Sequence, residues 1–75
     1  MQVMIMLYGT AGCHLCEDAE AILLQLNVDA VHVDIAADDN MVEKYGARIP
    51  VLKRMDNDVE LGWPFDAVAV TRFLL

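Results

Sequence analysis

Tyr8-Gly9-Thr10-Ala11-Gly12-Cys13-His14-Leu15-Cys16 contains the only two cysteines of the chain. The stretch lies where an apolar run gives way to a sequence with helical periodicity. On a helix, positions i and i+3 share a face roughly 5–6 Å apart, which is about the Cα separation a disulfide requires. Cys13 and Cys16 can therefore close or open a small ring with little backbone movement. A helix start also favours an anion, because its free N–H groups and the positive end of its dipole point there. The thiol of Cys13 is thus expected to ionise more readily than a free cysteine, and Cys16, one turn in, is the more protected sulfur. The expected division of labour is attack by Cys13 and resolution by Cys16.

The apolar run before the motif, residues 2–8, reads as a strand buried on both faces, with Gly9 to Gly12 as a loop. After it, Leu15, Ala19, Ile22, Leu23 and Leu26 repeat on one face and predict a helix over 14–26, stopped near Asn27. Glu17, Asp18 and Glu20 crowd its first turns. The dipole welcomes them, but they oppose ionisation of Cys13. Val31 to Ile35 alternates as a second strand. A whole helix lies between the two strands, which suits a right-handed parallel crossover. His32 is expected on the polar side of that strand.

Asp38, Asp39 and Asn40 offer caps for a short helix to Tyr45, with Gly46 at C′. Residues 51–55 and 59–61 read as an antiparallel hairpin turning at 56–58. Pro64 suits the first turn of a last, largely apolar helix over 65–74, expected to pack mainly into the core. The order is β-α-β-α-β-β-α, read as one domain over residues 1–75.

Residues 1–43 contain eight acids and no Lys or Arg, and the net charge is −7. This argues against nucleic acid and anionic membrane as partners. Two cysteines so close together cannot staple a secreted fold. The opening apolar run is too short to span a bilayer and lacks the basic flank of a signal peptide. A cytoplasmic location and a monomer are the expectations.

Gly12-Cys13-His14-Leu15-Cys16, the Ile49-Pro50 pair and the Leu61-Gly62 pair, in this element order, resemble the thioredoxin-like fold. Within it they resemble small bacterial glutaredoxin-like proteins. The resemblance covers the whole chain. It implies a four-stranded mixed sheet of order 2-1-3-4, a cis bond at Ile49-Pro50, and a substrate groove where the backbone of Ile49 pairs with glutathione or a disulfide-bearing protein. Gly12, His14, Arg48, Ile49 and Pro50 are the implied substrate-binding residues around the catalytic Cys13 and Cys16. No metal or organic cofactor is implied, and glutathione enters only as reductant or substrate.

The chain departs from well-studied glutaredoxins at three places. The middle pair is His14-Leu15 rather than Pro-Tyr. No Lys precedes the motif. One glycine stands before Asp66 where a Gly-Gly pair is usual. Arg48 is then the one obvious cation for the groove. His14 has two readings: a protonated imidazole that favours the Cys13 thiolate, or a solvent-facing filler. The implied activity is thiol–disulfide exchange. A non-catalytic binding or assembly module and an iron–sulfur carrier are the alternatives, the latter needing further ligands beyond two cysteines.

Overall fold

The computed structural model describes residues 4–75. Strand β1 (Ile5–Gly9) leads through a loop to helix α1 (His14–Gln25), then strand β2 (Val31–Asp34). A 3-10 turn (Ile35–Ala37) precedes helix α2 (Asp39–Tyr45), strands β3 (Val51–Arg54) and β4 (Glu60–Gly62), and helix α3 (Ala67–Leu74). The sheet order is β2-β1-β3-β4. β1 runs parallel to β2 and antiparallel to β3, and β3 pairs antiparallel with β4. This is the thioredoxin-like arrangement.

β1 is the inner strand that feeds both cores, because alternate side chains of a strand point to opposite faces. Ile5 and Leu7 join Ala19, Leu23, Leu52, Phe65 and Val70 on the side of α1 and α3. Tyr8 joins Ile35, Tyr45 and Val51 on the side of α2. The strand's continuous hydrophobicity follows from this double burial. Residues 2 and 3 of the expected strand lie outside the described residues. Gly9 belongs to β1 rather than to the loop.

Other boundaries differ for physical reasons. The inner face of α1 is Cys16, Ala19 and Leu23, whereas Leu15 is 45% exposed. Asn27 ends the helix region at φ 55°, and the Asn27→Leu24 and Val28→Leu23 backbone bonds form a complete Schellman closure. Gly46 is the C-cap of α2 in right-handed conformation rather than its C′ residue. A Cβ there would collide with the Val42 carbonyl, so close approach, not positive φ, requires the glycine. Ile35 leaves β2 for the 3-10 turn, which Asp34 caps through Ala36 N–H. The β3–β4 turn closes around Met55–Asn57, and Gly62 is part of β4.

Pro64 does not open the last helix. The Trp63–Pro64 bond is cis, and α3 starts at Ala67, where the Asp66 carboxylate accepts the Ala69 N–H at 2.8 Å. Val70 is buried in that helix while Val68 is 58% exposed, so α3 packs through one face.

Arg54, on the face that carries α3, is the one buried charged residue among those described. Its guanidinium donates to the Phe73 carbonyl at 2.9 Å and, in a two-pronged pair, to Asp56 at 2.7 and 3.0 Å. It thus satisfies a carbonyl at the end of α3 that the helix leaves open. The hydrogen bonds from Arg54 hold the Asp56 carboxyl below its ordinary value of 3.8. Arg54→Met is expected to lower the urea midpoint at neutral pH. The Asp56 contribution is present above its ordinary pKa and disappears as pH falls through its depressed folded value. The gap between wild type and Arg54→Met should therefore narrow in acid. It should not close, because the bond to Phe73 does not titrate.

Candidate active site

The two cysteines are delivered by three local features. Gly9 ends β1 so close beneath α1 that a Cβ there would sit 2.9 Å from Cys16 Sγ. Gly12 turns the chain at φ +75°, a conformation side chains disfavour. Cys13 then takes an extended conformation as N-cap, with its Sγ accepting the Cys16 N–H at 3.1 Å and its carbonyl accepting the Glu17 N–H at 3.1 Å. A cap is ordinarily an oxygen of Ser, Thr, Asp or Asn; here the sulfur occupies that place. Cys13 and Cys16 form a disulfide, with Cα atoms 5.2 Å apart. Cys13 is half-buried, whereas Cys16 is 6% exposed. The outer sulfur is therefore the one a substrate can reach.

His14 points away from this pair. Its side chain is 95% exposed, with Nδ1 3.6 Å from the Glu17 carboxylate. The geometry matches the solvent-facing reading of His14 rather than a contact on the Cys13 sulfur.

On the β3 side, the Ile49–Pro50 bond is cis. The register pairs Tyr8 with Val51, so Pro50 continues alongside Gly9, next to the cysteine loop. Pro50 is fully buried, and its carbonyl accepts the Trp63 N–H at 3.1 Å. The Ile49 N–H donates to the Tyr45 carbonyl at 3.0 Å, so only the Ile49 carbonyl is left for an extended partner.

Arg48 faces Glu60 rather than open groove, at 3.6 Å, and lies 5.7 Å from the centre of the Tyr45 ring. Tyr45 stacks on Tyr8 with ring centres 4.6 Å apart and donates its hydroxyl hydrogen bond to Glu60. Burial, reinforced by that bond, pushes the Tyr45 phenol up to about 12. The same bond, with Lys44, Arg48 and Lys53 nearby, holds the Glu60 carboxyl below its ordinary value. Sequence reading missed this Tyr8–Tyr45–Glu60 assembly, which joins three distant elements. The one local hint is the placement of Tyr8 directly before the motif. Among the described residues, no three His, Cys, Asp or Glu side chains converge as a metal site, and no helix is long and apolar enough to cross a membrane.

Residues 4–75 match the glutaredoxin-like domain family (DUF836). The chain belongs to this glutaredoxin-like family. Among solved structures, an X-ray structure of the structural genomics target protein XcR50 from X. campestris is similar at 37% identity and TM-score 0.87, covering 93% of each chain. A solution structure of XcR50 gives 36% identity and TM-score 0.85 over 95% of this chain and 91% of that one. The NMR structure of protein Ne2328 from Nitrosomonas europaea is similar at 28% identity and TM-score 0.85, covering all of this chain (100%) and 94% of that one. No curated protein matches the chain.

Two outcomes follow from the geometry of this glutaredoxin-like domain. Gly9→Ala should destabilise the fold by about 1–3 kcal/mol, the usual cost of an overpacked core, as read by urea unfolding. Tyr45→Phe tests the phenol's environment. Unfolded Tyr45 ionises near 10 and folded Tyr45 near 12, so stability is present below 10 and lost as pH rises between the two. The stability gap between wild type and Tyr45→Phe should therefore shrink across that interval. A gap constant with pH would contradict the assignment.

Proposed function

We propose that this domain is a thiol–disulfide oxidoreductase that reduces protein disulfides or glutathione mixed disulfides. The observation that carries the reading is the double role of Cys13. It is the half-exposed cap of α1, held by the Cys16 N–H, and it lies within bonding reach of the buried Cys16. A hydrogen bond donated to sulfur and the helix dipole both favour the thiolate over the thiol.

The Cys13 thiolate attacks one sulfur of the substrate disulfide, forming a mixed disulfide and releasing the first substrate thiolate. Cys16, as thiolate, then attacks the Cys13 sulfur. The Cys13–Cys16 bond forms, the mixed disulfide breaks and the second substrate thiolate leaves. Two electrons pass from the dithiol to the substrate, and no metal or organic cofactor is needed. The Ile49 carbonyl, ahead of the buried Pro50 that stands alongside Gly9, would be the backbone contact, and Gly12 carries the chain into Cys13. Arg48 can serve an anionic substrate group because its own side chain is half exposed and its contact with Glu60, at 3.6 Å, is a loose one. His14 stands at the rim. Return to the dithiol form needs a reducing compartment, which suits the cytoplasm, and a monomer suffices for the chemistry.

A second reading, a binding or assembly module without turnover, draws on the Ile49 N–H already bonded to Tyr45. One experiment separates the two. In glutathione buffers of graded poise, the Cys13–Cys16 pair should show one reversible two-electron transition between roughly −180 and −270 mV, the range of working oxidoreductases. Cys13→Ser should abolish disulfide reduction, and Cys16→Ser should stop at the mixed disulfide. Absence of a reversible transition, with thiols that alkylate no faster than free cysteine, would favour the module.

A further inference from the structure

The second half of that exchange poses a proton problem. Cys16 must lose its proton before it can attack, yet it is 6% exposed, and burial disfavours a charged thiolate. In the first turn of α1, His14 is 95% exposed and turned to Glu17, away from the buried sulfur. A proton acceptor is needed on the buried side of the motif.

That side opens into a cleft of about 260 Å³ between α1, the end of β1 and β2, on the opposite flank from Pro50. Cys16, Glu20, His32 and Asp34 all line it. The register explains why. His32 pairs with Leu7 across the parallel strands, so its side chain shares the α1 face with Leu7. Glu20 lies one helical turn beyond Cys16 on the same face of α1. His32 Nδ1 lies 3.2 Å from a Glu20 carboxylate oxygen. The polar side of the strand on which His32 is expected is, on this sheet, the side of the cleft.

We infer that His32, oriented by Glu20, accepts the proton of Cys16 in the resolving step. This rests on the oxidoreductase reading above. Glu20 at Nδ1 favours a proton there and leaves the other ring nitrogen free to accept. When the ring takes the second proton, the same carboxylate stabilises the imidazolium. The cleft is large enough for water to carry the proton from Cys16 Sγ to the ring. Asp34 is less suited, because its carboxylate is committed to the Ala36 N–H at 2.9 Å. The balance is complete. The proton passes from the Cys16 thiol to His32 and then to solvent, the Cys16 thiolate bonds to Cys13 sulfur, and the substrate departs as thiolate.

A coloured aromatic disulfide, bis(nitrocarboxyphenyl) disulfide, resolves the two halves of the reaction. Attack by Cys13 releases one yellow thiolate in a second-order phase. Resolution by Cys16 releases the second in a concentration-independent phase. His32→Gln should leave the first phase unchanged. It should slow the second about tenfold near neutral pH, less than the roughly hundredfold or more of many positioned bases, because some Cys16 ionises unaided. Added imidazole should restore the lost rate. The pH profile of the second phase should lose the inflection of an accepting base and climb steadily with hydroxide.

Glu20→Gln, which removes the orienting carboxylate and keeps the imidazole, should slow the second phase less than His32→Gln. His32 is more than half exposed, and matching unfolding curves would confirm that the variants fold alike. A second phase in His32→Gln that is unchanged, or slowed without recovery in imidazole, overturns the assignment. A slow first phase in the wild type would instead count against the oxidoreductase reading, and the second phase would still report on His32.

Discussion

The structure depends on one strand being buried from both sides. β1 has hydrogen-bonded neighbours on each edge and a separate core on each face. It cannot shift by one residue without exchanging Leu7 and Tyr8 between cores of different shape. Its end is therefore fixed in space, and so is the loop that follows. Gly9 lets α1 descend onto that end, and the sulfur of Cys13 closes the helix where an oxygen would ordinarily stand. The packing of the fold and the placement of the reactive sulfur have the same origin.

Charge is divided between the two flanks of the motif in a way that net charge conceals. The α1 and β2 flank carries Glu17, Asp18, Glu20 and Asp34. On the Pro50 flank, Lys44, Arg48 and Lys53 lie around Glu60 and Tyr45. Potentials near a surface follow local charges within about 10 Å at moderate salt. The acidic total therefore does not describe the field at the groove. A group on the Pro50 flank meets cations partly neutralised by Glu60, and a group over α1 meets carboxylates of which Glu17 and Glu20 have histidine neighbours.

Much of this was legible in the sequence. The order of elements, the helix stop at Asn27 and the nearness of Cys13 to Cys16 all follow from local patterns of period, turn residues and spacing. Misreadings arose where a local rule met a tertiary constraint. Leu15 fits the apolar period of α1, but at the first turn that direction faces outward and Cys16 takes the core position. Pro64 fits a helix start, yet Asp66, two residues on, supplies the side-chain oxygen that caps α3. Gly46 fits a left-handed cap, but the near contact with Val42 carbonyl explains it instead. The pairs Tyr45–Glu60, Arg54–Asp56 with the end of α3, and Glu20–His32 join residues that only the sheet register or the β3–β4 turn brings together. No local pattern announces the first or the last.

The split flanks also bear on the order of events at the disulfide. The half-exposed Cys13 must be reached from outside, and the backbone beside Pro50 offers an extended partner one carbonyl to bond. In the proposed exchange Cys16 loses its proton toward the cleft under α1, which Glu20, His32 and Asp34 line. Pro50 lies toward the β3 edge of β1 and the cleft toward its β2 edge, so a substrate bound against Pro50 leaves the cleft open. In the proposed exchange, attack and proton removal would therefore proceed on separate surfaces, with the mixed disulfide in place while Cys16 loses its proton. A single shared surface would force the substrate to leave, or the base to be occluded, before resolution could begin.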